Sequence, residues 1–319
     1  MLPILENGAK QEKMGKKAFD VVVPGCYFCD MVFTGLPEMP QLGKDIFATN
    51  FKMVPGGAYY PVSILNRLGI NVGWKCSFGN DFFSRYVLDV IREEGIDSSL
   101  FDIQDRSVQF VAASFSFADE RGFVSYIEAP YPHLTGKDIS EIDTRCYLLP
   151  GIDSWTDLAE IDLSRGEKSF LVYMDCQHTA MTLETPGLID ALRKVDVFAP
   201  NRTEALHLTG ESDIRRALAR LAEFIPLVLI KQGAEGVLAQ KGEEIIEVPA
   251  IRVKVVDTTG AGDSFNAGFL FGHLSGASLE TCLQYGVITG GLSTTGPGLG
   301  FVPEKAVLQK MAQNFGDYC

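Results

Sequence analysis

The sequence predicts an α/β protein with a mainly parallel central sheet and a small second sheet set apart from it. Three observations carry that reading. Short, strand-sized apolar runs alternate with amphipathic segments over most of the chain, as βα units do. Two regions, Ile46–Val54 and Val108–Tyr126, instead alternate like strands exposed on one face. At 319 residues, 46% hydrophobic and 22% charged, the chain is long and apolar enough to bury one large core.

In chain order, residues 1–18 mix polar and charged positions without an apolar stretch and read as a loose arm. Residues 19–319 read as one unit, with lid strands at about 46–54 and 108–127. Sheet strands are expected at Phe19–Val23, Val72–Ser77, Cys146–Leu149, Phe170–Asp175, Val195–Ala199 and Leu227–Lys231. Helices are expected at Tyr60–Leu68, Phe82–Glu94, Thr203–Leu208 and Asp213–Phe224, where apolar residues recur at three- and four-residue spacing. Three more close the chain, Asp263–Leu274, Leu279–Ser293 and Pro303–Asn314, the last with proline in its first turn, where a missing N–H costs nothing. No repeat or low-complexity tract interrupts this order.

A net charge of −13 argues against nucleic acid and anionic membranes, whose binding starts from a basic patch. No apolar run approaches the length of a membrane span and the arm lacks a signal-peptide core, so a cytoplasmic protein is expected. Seven scattered cysteines fit buried thiols of a reducing compartment. The Cys26/Cys29 pair has CxxC spacing, but no second pair completes a zinc site.

The most informative stretch is Asp257-Thr-Thr-Gly260-Ala261-Gly262-Asp263-Ser-Phe-Asn-Ala-Gly-Phe269. Small residues run straight into an apolar helix, so the N–H groups of Gly260–Asp263 stand at a helix N-terminus, where unsatisfied donors and the macrodipole favour an anion. Gly260 and Gly262 let several amides converge on one phosphate. Asp263 in the first turn is placed to accept a hydrogen bond and then the proton of an incoming alcohol, although a plain helix cap accounts for an isolated aspartate there as well. A dinucleotide fingerprint needs glycine where Phe265 stands, and no Walker-type loop is present.

That stretch closely resembles the C-terminal signature of the PfkB, or ribokinase-like, family of sugar and nucleoside kinases. Pro55-Gly56-Gly57-Ala58 with Leu65–Gly69 is similar to the family's N-terminal Gly-Gly block. Phe78-Gly79-Asn80-Asp81-Phe82 resembles its glycine-aspartate turn, Asn201-Arg202-Thr203-Glu204 its Asn-x-x-Glu motif, and Lys231-Gln232-Gly233 with Gly236 its nucleotide-side turn. These blocks fall in family order between about residues 19 and 303.

The resemblance implies a three-layer α/β/α sandwich with a small β-sheet lid and transfer of the γ-phosphoryl group of ATP to a hydroxymethyl group of a sugar. It implies Asp263 as catalytic base and Gly260, Ala261 and Gly262 as the anion hole. Asn201, Lys231, Gly233 and Gly236 would bind ATP, and Glu204 would hold Mg²⁺ through water. The Asn201/Glu204 pair also fits a capping box. Asp257 would help hold a monovalent cation such as K⁺, with backbone carbonyls near Thr259 and in the 293–298 loop. Asp30, Gly56 and Gly57 would bind the acceptor, and two lids would pair in a homodimer.

Departures bear on the acceptor. Pro61 stands where family members commonly have an asparagine that binds a sugar hydroxyl, and proline offers no donor. Tyr27, Phe28, Phe33, Tyr59, Tyr60, Phe110 and Tyr126 crowd the expected lid and floor, either as stacking surfaces or as core. Arg121, in an expected turn at Asp119–Gly122, is either a cation for an acidic substituent or a solvated turn residue. A nucleoside or sugar-acid acceptor is therefore the alternative within the same chemistry, and a ligand-binding regulator that lost the reaction is the alternative outside it.

Overall fold

The computed structural model describes residues 17–117, 120–128, 130–165, 170–296 and 301–319; the expected arm falls almost wholly outside them. Lys17 and Ala18, read as its end, already belong to β1 (Lys17–Pro24), because they pair with Ile142 and Asp143. After β1 the chain leaves for a second sheet, making β2 (Tyr27–Thr34) and β3 (Asn50–Gly57) before α1 (Tyr59–Arg67) returns it. Strand β3 thus starts later than the expected Ile46 and runs on to Gly57, and β2 is a strand that periodicity did not separate from β1. Then follow β4 (Val72–Phe78), α2 (Phe82–Glu93), β5 (Phe101–Ile103) and the hairpin β6 (Phe110–Phe117) and β7 (Glu120–Ile127). The register Ser116↔Arg121 and Phe117↔Glu120 puts Arg121 in β7, not in a turn.

The second half alternates regularly through α3 (Gly136–Glu141), β8 (Ile142–Leu149), α4 (Asp157–Arg165), β9 (Leu171–Asp175), α5 (Leu188–Leu192) and β10 (Val197–Ala199). It continues with α6 (Arg202–Thr209), α7 (Ile214–Ala222), β11 (Leu227–Lys231) and the hairpin β12 (Val237–Lys241) and β13 (Glu244–Val248). Helices α8 (Ala261–Leu274), α9 (Leu279–Ser293) and α10 (Lys305–Gln313) complete it. Glu304 is the N-cap of α10, so Pro303 precedes the helix and does not open its first turn.

The nine-stranded sheet has the order β13-β12-β11-β10-β9-β8-β1-β4-β5, parallel from β11 to β5, with β12 and β13 antiparallel at one edge. Successive side chains of a buried strand must serve opposite faces, and the core divides on that rule. Val21, Val23, Tyr173 and Leu229 pack with Leu270, Phe271 and Ile288 of α8 and α9. Their neighbours Val22, Val172, Met174, Val228 and Ile230 pack with Leu158, Leu192, Leu208 and Leu218 of α4 to α7. Three layers result.

The small sheet has the order β3-β2-β6-β7, with β2 and β6 parallel and the outer pairs antiparallel. Its root is a buried polar knot. Tyr27 stacks on Phe78 at 4.9 Å, shares a hydrogen bond with Ser84 Oγ at 2.9 Å, and donates to the Val108 carbonyl. Asp81 caps α2 through the Phe83 and Ser84 N–H groups and also accepts the Val108 N–H at 3.0 Å. One turn therefore anchors the strand leading into the small sheet and the residue before its second entry. Among the described residues no helix is long and apolar enough to cross a membrane. All seven cysteines, Cys26 and Cys29 included, are free thiols.

Candidate active site

In a parallel sheet with helices on both faces, ligands settle at the carboxyl ends of the strands near the point where strand order reverses. Here the order reverses beside β1, and the carboxyl ends of β8, β9, β10 and β11 open on a cleft of about 810 Å³. Asp175, Asn201 and Lys231 enter it from just these strand ends, and Ala261, Gly262 and Asp263 enter from the start of α8. An apolar flank of Ile251, Val253, Val287 and Phe265 lines the other side.

The helix start is built as the residues dictate. Gly260 is the N-cap of α8 with φ +72°, a conformation that a β-carbon disfavours, so Ala261, Gly262 and Asp263 are the first three helical residues; the Ala261 N–H donates to the Thr258 carbonyl at 3.2 Å, and those of Gly262 and Asp263 lie in the turn where a helix leaves its donors without helical partners. Asp263 is the third helical residue and not the N-cap, an acidic group in the first turn of α8. It is half-buried, and its proton affinity is raised to about 7, first by burial and then by the Asp175 carboxylate, with Lys231 pulling the other way. A carboxylic acid titrating near neutrality beside a helix N-terminus is suited to take a proton and return it.

Asn201 and Glu204 open α6 as a full capping box: Asn201 Oδ1 accepts the Glu204 N–H at 2.9 Å and Glu204 Oε2 accepts the Asn201 N–H at 2.7 Å. Cap and ligand are compatible, since both side chains line the cleft and no described group bonds Glu204 Oε1. Burial raises the Glu204 pKa, with Asp175 adding to it and Asn201 and Lys231 opposing. A carboxylate oxygen with no described partner, on a side chain lining the cleft, would suit Mg²⁺ that keeps its water and binds through it.

Gly233 and Gly236 close the turn after β11, at φ +59° and +91°. A β-carbon on Gly236 would stand 2.1 Å from the Val248 carbonyl, so that glycine holds the edge hairpin together as well as lining the cleft. Arg202 clamps the turn from α6 through Glu235, with both oxygens within 2.9 Å.

The acceptor-side residues lie outside this cleft's lining and on the small sheet. Asp30 follows the first strand and is mid-strand in β2, paired with Val54 and Ala112. Burial pushes its pKa to about 6. Gly56 leaves room for this carboxylate, and Gly57, at φ +64°, lets the chain turn from β3 into α1 against the Cys26 carbonyl. The two carboxylates share a neighbour: the Tyr60 phenol of α1 is held above its ordinary pKa by burial, and then by Asp30, Asp263 and Asp257. Helix α1 packs along α8, which brings the small sheet's edge toward the anion turn.

Of the aromatic residues, Tyr27 and Phe110 are fully buried in the core and Tyr59 packs beside Trp74, so none of these three offers a stacking face. Near Asp257, Oδ1 accepts the Thr259 N–H at 2.8 Å, and the Thr294 carbonyl accepts both the Val256 and Asp257 N–H groups. Residues 297 and 298 of the expected 293–298 loop lie outside the described residues.

Sequence reasoning missed Asp175, Asn266 and Tyr173. Asp175 accepts Lys231 Nζ at 2.6 Å and Asn266 Nδ2 at 2.5 Å, and Tyr173 donates to Asn266 Oδ1 at 2.7 Å. The available signals were an acidic residue closing an otherwise apolar strand and an asparagine one turn into an apolar helix.

A three-layer sandwich with an anion turn, a half-buried carboxylate and a cap-and-carboxylate helix start defines a class of small-molecule kinase. The chain belongs to the pfkB family of carbohydrate kinases, whose family model matches residues 41–306. It is 33% identical over 230 residues to an uncharacterized sugar kinase of Archaeoglobus fulgidus, across 70% of this chain and 90% of that one. The fold matches the Arabidopsis thaliana ribokinase solved with ribose and ATP, at a TM-score of 0.79 and 20% identity over 93% of this chain and 99% of that chain. A candidate ribokinase II from E. coli, solved with ATP and Mg²⁺, gives a TM-score of 0.75 at 20% identity over 93% of this chain and 99% of that chain.

Proposed function

We propose that the protein transfers the γ-phosphoryl group of ATP to a hydroxymethyl group of a sugar. The observation that carries this is Asp263: half-buried, titrating near neutrality, three residues past a left-handed glycine cap, in one cleft with Lys231, Asn201 and Glu204. The acceptor oxygen forms a bond to the γ-phosphorus as the bond from that phosphorus to the β,γ-bridging oxygen breaks. The hydroxyl proton passes to Asp263, and ADP leaves with the electron pair. The Gly260–Gly262 amides face the charge on the transferring group. Asn201, Lys231, Gly233 and Gly236 hold the nucleotide, and Glu204 meets its Mg²⁺ through water.

The apolar flank at Ile251, Val253 and Val287 suits a nucleobase. Asp30, with Gly56 and Gly57 beside it, receives acceptor hydroxyls from the small sheet, which acts as the lid. Asp257 is the candidate for a K⁺ site, although the Thr294 carbonyl is already engaged twice. We place the enzyme in the cytoplasm as a lid-paired homodimer.

A panel of sugars, sugar acids and nucleosides, assayed for ATP turnover with parent protein and Asp263→Asn, tests this reading. Acceptor-stimulated turnover that disappears in the variant supports it. Turnover by none of the panel, with ATP bound, returns the chain to the ligand-binding alternative.

A further inference from the structure

One buried polar chain reaches the cleft from behind the residues that the sequence singled out. Asp175, 6% exposed, ends β9; its two oxygens accept Lys231 Nζ at 2.6 Å and Asn266 Nδ2 at 2.5 Å. Asn266, 1% exposed, stands three residues after Asp263 on α8 and is held in turn by the Tyr173 hydroxyl. The Lys231 ammonium lies against the anion turn, so that a β-carbon on Gly262 would be 3.2 Å from it. The chain Tyr173–Asn266–Asp175–Lys231 therefore joins β9, β11 and α8 at the point where a phosphoryl group would sit.

A buried ion pair of this kind is weak evidence of stability, because apolar residues of similar volume often serve the fold as well or better. Its geometry is specific, however. Both carboxylate oxygens are used: Oδ1 accepts Lys231 Nζ and the Cys176 N–H at 2.7 Å, and Oδ2 accepts from the helix that carries Asp263. Asn266 is engaged at both ends of its amide and Tyr173 through its hydroxyl, which rigidifies the group.

We propose that Asp175 is a positioning residue for phosphoryl transfer: it holds the Lys231 ammonium against the Gly260–Asp263 turn and, through Asn266, fixes the helix turn that presents Asp263. The inference rests on the kinase reading above and deepens it. Lys231 is the group that meets the phosphoryl oxygens, and Asp175 sets where it stands when they arrive. The ammonium then bridges Asp175 and the phosphoryl group, three donors on one nitrogen allowing both. The charged or titratable groups around Asp263 are Asp175 from β9, Lys231 from β11 and Tyr60 from α1.

The test is a double-mutant cycle on the full chain with the best acceptor from the panel, using Lys231→Ala, Asp175→Asn and the pair. Lys231→Ala is expected to lower kcat about 100-fold, as for a lost donor to developing charge. It should also weaken Mg·AMP-PNP binding about tenfold more than ADP binding. Asp175→Asn should lower kcat about tenfold with KM for the acceptor unchanged, and cost less than about threefold once Lys231 is gone. Added ethylammonium should restore turnover in Lys231→Ala but not in the double variant, a result that a merely structural Asp175 would not give. If Asp175→Asn does not fold, amine rescue of Lys231→Ala and the AMP-PNP comparison carry the test. Losses that multiply independently, or a Lys231→Ala enzyme with normal kcat, overturn the proposal. A parent that neither binds AMP-PNP nor turns over any acceptor overturns the kinase reading instead.

Discussion

A β-carbon on Gly56 would lie 2.1 Å from Oδ2 of Asp30, so the carboxylate keeps its place between β2 and β3 only because position 56 has no side chain. Gly56→Ala should therefore push Asp30 out of position and raise KM for the acceptor about tenfold, the cost of one charged hydrogen bond, with KM for ATP unchanged. Steady-state kinetics with each substrate varied in turn checks this. Equal effects on both would place Gly56 outside the acceptor site.

Asp30 itself should contribute about 1.5–3 kcal/mol to acceptor binding, read by calorimetry on Asp30→Ala with nucleotide saturating. Because burial raises its pKa to about 6, the carboxylate gains a proton as pH falls through that value and acceptor affinity should weaken below it. In Asp30→Asn that pH dependence should vanish. An unchanged affinity in folded Asp30→Ala would show that the acceptor lies elsewhere.

Asp263→Asn should lower kcat by about 10²–10⁴, the usual worth of a general base, while ATP still binds. In the parent, kcat should fall about tenfold per pH unit below about 7, since only the deprotonated form accepts the hydroxyl proton. A rate that stays flat from pH 8 to pH 5.5 would assign the proton to another group.

The same residue links pH to stability. Its folded pKa of about 7 lies above an unfolded value of about 3.9, so the folded state binds the extra proton. Stability from this group is complete below about pH 4 and is lost as pH rises through about 7. Asp263→Asn, which carries no charge at any pH, should melt later than the parent at pH 8, by on the order of 2 kcal/mol, with the gap closing toward pH 4.5. Thermal melts at the two pH values decide; a gap independent of pH would mean that the carboxylate is not desolvated in the fold.

Phe51, Phe123 and Tyr126 are 56%, 60% and 56% exposed on β3 and β7, the two edge strands of the small sheet. Exposed rings and open edges on one small sheet call for a cover, and a second lid provides a matching one. Light scattering at micromolar concentration should give twice the chain mass, and Phe123→Lys should halve it. One chain mass in the parent would end the lid-pairing proposal.

Much of the main sheet was legible because its strands are uniformly apolar and its breaks are sharp. The expected Leu227–Lys231 and Leu279–Ser293 coincide with β11 and α9. Strand β2 was not separated, because Val21 to Phe33 is one apolar run broken only by Pro24–Gly25 and by Asp30, a residue that strands seldom carry. The β12–β13 hairpin was missed although Gly242, at φ +59°, marks its turn. In the site, Asp263 and Asn201 stood in dense motifs, whereas Asp175 owes its place to partners 56 and 91 positions away, which no local pattern reveals.

Asp30 and Asp263 stand on different sheets, one on the four-stranded sheet that Tyr27 ties to Ser84 and Val108, the other on a helix packed against the nine-stranded sheet. On the proposed reading, the grip on the acceptor and the base that deprotonates it therefore stand on different sheets, and their separation depends on how the smaller sheet is held against the larger one. A measured acceptor affinity would then report on that placement as well as on the contacts Asp30 makes. Substitutions at the Tyr27–Ser84 root should then change acceptor affinity without altering any of the proposed acceptor contacts.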